Sequence, residues 1–398
     1  MRVARGEQKD AALLHAAELL RRETGPLLEA NRADVEEAAR RATDRIGRDR
    51  LLLDRARIEQ MAAGLEAIAR LPDPVGRLVA SSTRPNGLKV ERVRVPLGVV
   101  GVIYENRPNV TSDAAGLCLK SGNVAFLRGS SSAARSNAAL AGLLAEAALE
   151  AGLPRDAVLL VADGSRQSAE EFVKLEGTID CLIPRGGPGL VAMVREQAKV
   201  PYVIDGAGNC HVYVHEAADE KMAEAIVLDA KVSRPGVCNA AESLLIDEAI
   251  AASFLPRVAA SLANAGVELV GDERSRALWP SMAEATSQDF ATEFLSLKMA
   301  VAVVDDLEGA IAHIAAYSSG HSEAIVTNDL RASERFVAAV DAAALLVNAS
   351  TRFIDGGELG LGAEVGISTQ KLHARGPMGL EELTCVKYVV HGEGQVRN

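Results

Sequence analysis

The stretch that decides the fold lies at residues 98–108 and reads Gly98-Val99-Val100-Gly101-Val102-Ile103-Tyr104-Glu105-Asn106-Arg107-Pro108. A short apolar run, typical of a buried strand, ends here in a polar turn. Helical stretches, the clearest at residues 132–151, separate it from further apolar runs at 124–127, 158–161, 181–183 and 202–204. Strands that alternate with helices in this way predict a parallel, doubly wound α/β sheet with nucleotide-binding geometry.

A second α/β domain is predicted after residue 238. Apolar runs alternate with helical stretches again, at 243–246, 300–304, 324–327 and 345–347. The first 80 residues are helical in pattern, with apolar residues at steps of three and four at Ile58, Met61, Leu65 and Ile68. Residues 88–96 alternate apolar and charged side chains, which predicts a half-exposed strand that needs a partner.

Composition excludes several classes of function. The 398-residue chain has a formal net charge of −11, which argues against nucleic-acid binding and against attraction to an anionic membrane. No apolar run approaches the ~18 residues of a transmembrane helix, and no signal peptide is expected. Five scattered cysteines without a CxxC pair predict reduced thiols in the cytoplasm, and the histidine spacing predicts no metal site.

Cys238 is the candidate nucleophile. It follows the Pro235-Gly236 turn and precedes small residues, so that a substrate can reach its sulfur. A thiolate that attacks a carbonyl group forms a thioester or thiohemiacetal, which can exchange hydride with a nicotinamide cofactor. Asn106, at the carboxyl end of a strand, has a side-chain N–H suited to an oxyanion, but taken alone it is better explained as a helix cap.

Two more strand-to-helix turns are candidates for cofactor binding. At Arg128-Gly129-Ser130 an arginine and serines begin a helix, where phosphate can bind; the alternative is a serine-capped helix with a solvated arginine. Gly186 and Gly187 would let a cofactor approach the backbone, although an ordinary tight connection explains them equally well. The standard dinucleotide motif G-x-G-x-x-G does not follow any predicted strand, so a dinucleotide would bind by another mode.

These motifs, in this order, resemble those of the aldehyde dehydrogenase superfamily. The segments that carry the resemblance are 104–111, 128–130, 234–239, 293–294, 347–353, 356–362 and 370–380. Within the superfamily, the chain is most similar to the reductases that act on L-glutamyl 5-phosphate. This resemblance covers nearly the whole chain and implies an aldehyde dehydrogenase-like fold of two doubly wound α/β domains plus a β-strand oligomerisation arm.

The same resemblance implies the domain boundaries. An NADP-binding domain would comprise residues 1–80 and 99–232, and a catalytic domain with the nucleophilic cysteine would comprise residues 233–382. Residues 81–98 and 383–398 would form the oligomerisation arm of a homodimer or homotetramer. A transient contact with glutamate 5-kinase is a further expectation.

The implied reaction is the second step of proline biosynthesis from glutamate. L-Glutamyl 5-phosphate and NADPH would give L-glutamate 5-semialdehyde, phosphate and NADP+. Cys238 would attack the acyl phosphate, and hydride would reduce the resulting thioester. Asn106 and the backbone N–H of Cys238 would hold the oxyanion.

The resemblance also implies the remaining site residues. Arg128 and Ser130 match positions that meet the adenosine ribose and its 2′-phosphate, and a positive group there favours NADP(H). Glu293 matches the residue that holds the nicotinamide ribose. Arg107, which stands where ordinary members have an aromatic residue, and Arg352 are candidates for substrate binding. For Arg107 a structural ion pair is an equally good alternative.

Whether the enzyme reduces its substrate or oxidises an aldehyde depends on whether it has a base that activates water to hydrolyse the thioester. Oxidising members of the superfamily carry a glutamate before a Gly-Gly pair, and this glutamate activates water. The corresponding residues here, 203–209, contain no glutamate, although Asp205 could still act as a base. An oxidising NAD(P)-dependent aldehyde dehydrogenase of another substrate is therefore the alternative enzyme, and a catalytically silent nucleotide-binding scaffold is the alternative outside enzymes.

Overall fold

A computed structural model describes residues 1–40 and 45–397, which pack into two compact units. The first unit contains residues 1–205, 360–366 and those from 378 onward, and the second contains 206–359 and 367–377. The elements of residues 1–205 are α1 (Gly6–Arg22), α2 (Thr24–Arg40), α3 (Arg45–Leu51), α4 (Arg55–Arg70), β1 (Leu78–Thr83), β2 (Lys89–Pro96), β3 (Val99–Tyr104), α5 (Asn109–Lys120), β4 (Val124–Gly129), α6 (Ala134–Glu150), β5 (Val158–Leu160), α7 (Arg166–Phe172), β6 (Cys181–Arg185) and α8 (Pro188–Gln197).

The rest of the chain forms a second series of strands and helices. In chain order they are β7 (Cys210–Val214), α9 (Glu220–Val232), β8 (Ala241–Asp247), α10 (Glu248–Asn264), β9 (Glu268–Gly271), α11 (Glu273–Leu278), β10 (Ala283–Glu284), α12 (Ser287–Phe290), β11 (Lys298–Val304), α13 (Leu307–Tyr317), β12 (Ser322–Val326), α14 (Leu330–Ala339), β13 (Ala344–Val347), β14 (Ile367–Ser368), β15 (Gly376–Pro377) and β16 (Thr384–His391).

The first unit is built around a parallel sheet of order β5-β4-β3-β6. Its strands are apolar because both faces are covered by helices. The predicted apolar stripe of α4 is buried, with Ile58 and Leu65 each 1% exposed. The strand predicted at 202–204 is wrong, because Tyr202 makes only an isolated bridge to Leu182 and does not extend the sheet.

A separate antiparallel sheet of order β1-β2-β16 belongs to the same unit. β2 confirms the half-exposed strand predicted at 88–96, and it pairs with the C-terminal β16, for example Val95 with Cys385. β1 pairs with β2 and is exposed along its whole length. The sheet thus joins the two segments predicted to form an arm.

The second unit contains a seven-stranded parallel sheet of order β10-β9-β11-β8-β7-β12-β13. Strands β8, β11, β12 and β13 confirm the four apolar runs predicted after Cys238. The division between the units at residues 205 and 206 differs from the predicted domain boundary at 232, because β7 pairs with β8 and β12 in this sheet. The predicted domain functions stay predictions, while the two-sheet α/β fold class is confirmed.

Candidate active site

Cys238 lies in the second unit, in the turn between α9 and β8, and its side chain is half-buried. Its backbone carbonyl accepts a hydrogen bond from the Cys210 thiol at 3.2 Å. Burial raises the pKa of Cys210 well above the ordinary thiol range, so that this sulfur keeps the proton it donates. Gly208 packs directly against the same turn, and a Cβ there would overlap the Cys238 carbonyl group. Cys210 at the start of β7 and Gly208 just before it therefore hold the main chain of Cys238.

Glu293 binds Gly208, the residue that packs against the Cys238 turn. Its Oε1 accepts the Gly208 N–H at 2.7 Å, within the second unit. Two residues later, Leu295 has the left-handed φ of +53°, and its N–H donates to Glu242 Oε1 at 3.0 Å. The backbone beside Glu293 is thus held in an unusual conformation by a buried carboxylate.

Glu242 is itself paired with Lys231. Nζ of Lys231 lies 2.5 Å from Glu242 Oε2, and both side chains are 0% exposed. Burial raises the pKa of Glu242, and the adjacent ammonium group opposes that effect. A buried charge without its partner is costly, so these two residues depend on each other.

Arg352 lies in the short helical turn Thr351–Phe353, and its contacts lie on both sides of Cys238 in sequence. Nε donates to Ser233 Oγ at 3.2 Å, and a terminal guanidinium nitrogen donates to Asn239 Oδ1. Asn239 in turn donates to the Ile354 carbonyl at 2.8 Å. Arg352 therefore braces the segment that carries the nucleophile, and its predicted contact with substrate stays a prediction.

Asn106 lies in the first unit, directly after β3, with a φ of +44°. It does not cap the next helix, because the residue before α5 is Pro108 and no side chain caps that end. The Asn106 backbone N–H instead donates to Ser130 Oγ at 3.4 Å, and the Oδ1 atom accepts from Ser132. Arg107, in the same turn, is half-buried. The helix-cap alternative for Asn106 is wrong, which leaves its side-chain N–H group available for another role.

Arg128, at the end of β4, is buried, so the alternative of a solvated arginine is wrong. One guanidinium nitrogen donates to the Ser165 carbonyl, whereas the buried Nε has no hydrogen-bond partner among the described residues. Burial lowers the pKa of this guanidinium. The hydroxyl oxygen of Ser130, two residues further along the chain, lies 2.7 Å from that of Ser132. A buried cation with an unpaired N–H fits an anionic group such as a ribose phosphate.

Gly186 and Gly187 lie between β6 and α8, in contact with the side chain of Glu105. Glu105 was not predicted from the sequence as a neighbour of these glycines. The Gly187 N–H donates to Glu105 Oε2 at 2.8 Å, and a Cβ on Gly186 would lie 2.5 Å from that oxygen. A side chain at residue 186 would therefore displace Glu105 or Leu190 from its present position. The predicted approach of a cofactor to these glycines stays a prediction.

Asp205, the candidate base of the oxidising alternative, forms an ion pair with Arg185. Gly366, at φ +147°, closes over this pair, since a Cβ there would lie 2.5 Å from the guanidinium and 2.9 Å from the carboxylate. The Arg185 guanidinium thus pairs with an oxygen of the Asp205 carboxylate. A hydrolytic base would need such an oxygen to take a proton from water.

The described residues contain no helix long and apolar enough to cross a membrane. They also contain no group of three or more His, Cys, Asp or Glu side chains that could hold a metal ion. All five cysteines lie in that part of the chain, and none forms a disulfide bond.

The matched family model, that of the aldehyde dehydrogenase family, covers residues 6–278. The class of protein is therefore an oxidoreductase of this family, as the turn-borne cysteine and the two α/β sheets predict.

More particular matches cover the whole chain. It is 52% identical over 389 residues to the gamma-glutamyl phosphate reductase of Thermoanaerobacter pseudethanolicus, covering 98% of this chain and 94% of that protein. It is 54% identical over 391 residues to that of Thermobifida fusca, with coverages of 98% and 94%. The crystal structure of gamma-glutamyl phosphate reductase from Thermotoga maritima superposes with a TM-score of 0.97 at 46% identity, covering 100% of this chain and 96% of that one. The chain belongs to the gamma-glutamyl phosphate reductase family.

These matches confirm the predicted family, enzyme class and cofactor. The function is a step of proline biosynthesis, and the family uses NADPH. The roles predicted for individual residues are not tested by the matches.

Proposed function

We propose that Cys238 is the nucleophile with which this reductase converts L-glutamyl 5-phosphate into L-glutamate 5-semialdehyde and phosphate. The observation that carries the proposal is the half-buried position of Cys238 in a turn held by Gly208, with Glu293 bonded to Gly208. A rigidly held thiol that substrate can reach is what covalent catalysis requires. A full-length match to gamma-glutamyl phosphate reductases supports this substrate.

The covalent step is an acyl transfer to sulfur. The Cys238 thiolate forms a bond to the acyl carbon, and the bond from that carbon to the phosphate oxygen breaks, so that phosphate leaves with the electron pair. NADPH, when bound, supplies the hydride that reduces the thioester. Cleavage of the carbon–sulfur bond then releases the aldehyde and restores the thiolate. Asn106 and the backbone N–H of Cys238 would donate to the oxyanion in the tetrahedral species.

Arg128, Ser130 and Glu293 are the residues proposed to hold NADPH, together with Gly186 and Gly187. The unpaired Nε of Arg128 supports the binding of a 2′-phosphate. We expect Arg128→Leu to lower kcat/KM for NADP+ roughly 10- to 100-fold relative to NAD+, the value of a hydrogen bond to a charged group. Arg166→Leu, which changes a nearby side chain that is 88% exposed, should leave the ratio unchanged. An unchanged ratio in Arg128→Leu would contradict the assignment.

Arg107 and Arg352 are proposed to bind the phosphate or carboxylate of the substrate. A guanidinium group matches either anion with two parallel N–H donors. Arg107→Ala should raise KM for phosphate in the reverse reaction while the melting temperature stays near that of the wild type. A fall in melting temperature with an unchanged KM would instead indicate a structural ion pair. Because Arg352 also braces Asn239, its variant should change both quantities.

The proposal also covers the oligomeric state, a partner enzyme and the cellular compartment. The sheet of β1, β2 and β16 supports a homodimer or homotetramer, since the exposed β1 strand offers unpaired backbone groups to another copy. Light scattering would give the mass in solution. An acyl phosphate reacts readily with water, which favours a transient contact with glutamate 5-kinase. The unbridged cysteines favour a reducing, cytoplasmic location.

The deciding experiment is the reverse assay. Wild type and Cys238→Ala would receive glutamate semialdehyde and NADP+, with and without phosphate. We expect phosphate-dependent NADPH formation that disappears in the variant. Turnover without phosphate would instead indicate hydrolysis and the oxidising alternative, in which Asp205 would have to leave Arg185. No turnover in either condition would contradict the proposed substrate.

A further inference from the structure

The side-chain amide of Asn106 is held at its oxygen end. Oδ1 accepts a hydrogen bond from the hydroxyl group of Ser132, and the Ser130 hydroxyl oxygen lies 3.4 Å from the same atom. The two hydroxyl oxygens lie 2.7 Å apart, and Ser130 Oγ also accepts the Asn106 backbone N–H at 3.4 Å. Two serines from the turn after β4 thus contact Asn106, the second residue after β3.

In the structure the amide of Asn106 turns its oxygen, not its nitrogen, toward Ser132. The oxygen and nitrogen of an asparagine side chain are nearly equal in size, so only hydrogen bonding separates the two orientations. With Oδ1 accepting from the Ser132 hydroxyl group, which can take the Ser130 proton in turn, the Nδ2 group is directed away from the serines. Nδ2 makes no side-chain hydrogen bond within the described residues. The reverse orientation would present an oxygen lone pair where an oxyanion needs a donor.

Ser132 makes the shorter of the two contacts with Oδ1. Its neighbour Ser131, in the same short turn, has an exposed side chain and makes no side-chain hydrogen bond in the described structure. The two serines are chemically identical and adjacent, but only Ser132 contacts Asn106 and Ser130 through its side chain, and Ser131 is the more exposed.

We propose that Ser132 is a positioning residue, whose hydroxyl group holds the Asn106 amide with its N–H donors presented to the substrate oxyanion. The inference rests on the proposed role of Asn106 in the reaction. Ser130, assigned to the cofactor, would couple the cofactor turn to the same amide through its bond with Ser132.

The test is a double-mutant cycle in the reverse assay, with kcat and KM for NADP+ measured separately. Asn106→Ala should lower kcat about 100-fold, as expected for the loss of an oxyanion donor. Ser132→Ala should lower kcat about tenfold, with KM for NADP+ within about twofold of wild type. The double variant should be no slower than Asn106→Ala alone, because Ser132 then has nothing to orient. Ser132→Thr, which keeps the hydroxyl group, and Ser131→Ala should both retain wild-type kcat.

Several results would overturn the inference. Multiplied losses in the double variant would mean that Ser132 acts independently of Asn106. A rise in KM for NADP+ at constant kcat would make Ser132 a cofactor contact, and a fall in melting temperature that accounts for the lost activity would make it structural. An unchanged kcat in Asn106→Ala would refute the role proposed for Asn106 itself, and the inference with it.

Discussion

Replacing Gly208 by alanine would put a methyl group into the main chain of the turn that carries Cys238. The added Cβ would overlap the Cys238 carbonyl group and lie 2.7 Å from its Cα, whereas ordinary contacts of a Cβ begin at 3.4 Å. Both neighbours are backbone atoms, so no side-chain rotation can relieve the overlap. The two segments must move apart by roughly 1 Å or more, since packed interiors have no spare volume.

The effect on catalysis should exceed the effect on stability. A misplacement of about 1 Å at a reacting group can cost about 100-fold in rate, and an added methyl in a tight site costs about 1–3 kcal/mol of stability. The bond from the Gly208 N–H to Glu293 would be displaced as well. We therefore expect Gly208→Ala to fold, with a lower melting temperature, and to lose about 100-fold in kcat/KM.

Gly236→Ala is the matched control. Gly236 is two residues from Cys238, and its Cβ would meet only the Leu295 carbonyl oxygen at 3.8 Å, an ordinary contact. The reverse assay should find this variant within about twofold of wild type, because nothing has to move. The rate of Cys238 alkylation by iodoacetamide would report on the thiol directly. Activity of Gly208→Ala within about threefold of wild type, or an equal loss in both variants, would refute the steric reasoning.

Two predictions concern buried charge. Lys231→Met alone should destabilise the protein by about 3–5 kcal/mol in urea unfolding, whereas combining it with Glu242→Leu should recover most of that loss, because no unpaired charge is left. Burial and, secondarily, the nearby His211 lower the pKa of His313 to about 4. The unfolded chain, with a histidine pKa of about 6.5, then binds a proton that the folded chain does not, so stability should fall by about 2–3 kcal/mol as the pH drops from 7 to 4. His313→Phe should remove that share of the pH dependence, and an unchanged slope would contradict the assignment.

The elements of the fold were largely predictable from local pattern. Apolar runs such as 99–104 and 243–246 are strands because both faces of a parallel sheet are covered. The apolar run at 202–204 shows the limit of that reasoning: the same composition makes only an isolated bridge, from Tyr202 to Leu182 of β6, and no full strand. The helical stripe of α4 was predictable because burial follows its 3.6-residue period.

Candidate site residues could be chosen from the sequence only where a reactive side chain and a turn are adjacent in it. Cys238 became a candidate in that way, whereas Asn106 taken alone favoured a helix cap and became a candidate for the oxyanion only through the family resemblance. The contact of Glu105 with Gly187 joins residues 82 positions apart and follows only from β3 and β6 being neighbours in the sheet. Lys231 and Glu242 were missed because charged residues are expected at the surface, and no local pattern marks a buried pair.

The buried pair has a role that its stability alone would not explain. Replacing such a pair by apolar residues is often neutral for stability, so its presence needs another cause. Glu242 uses its second oxygen to hold the N–H of Leu295 at a positive φ, a conformation that a leucine adopts only at a cost. That turn follows Glu293, which in turn bonds to Gly208, packed on Cys238. The Lys231–Glu242 double replacement should therefore recover most of the stability that Lys231→Met loses and still lose activity, because the carboxylate that supports this turn would be gone.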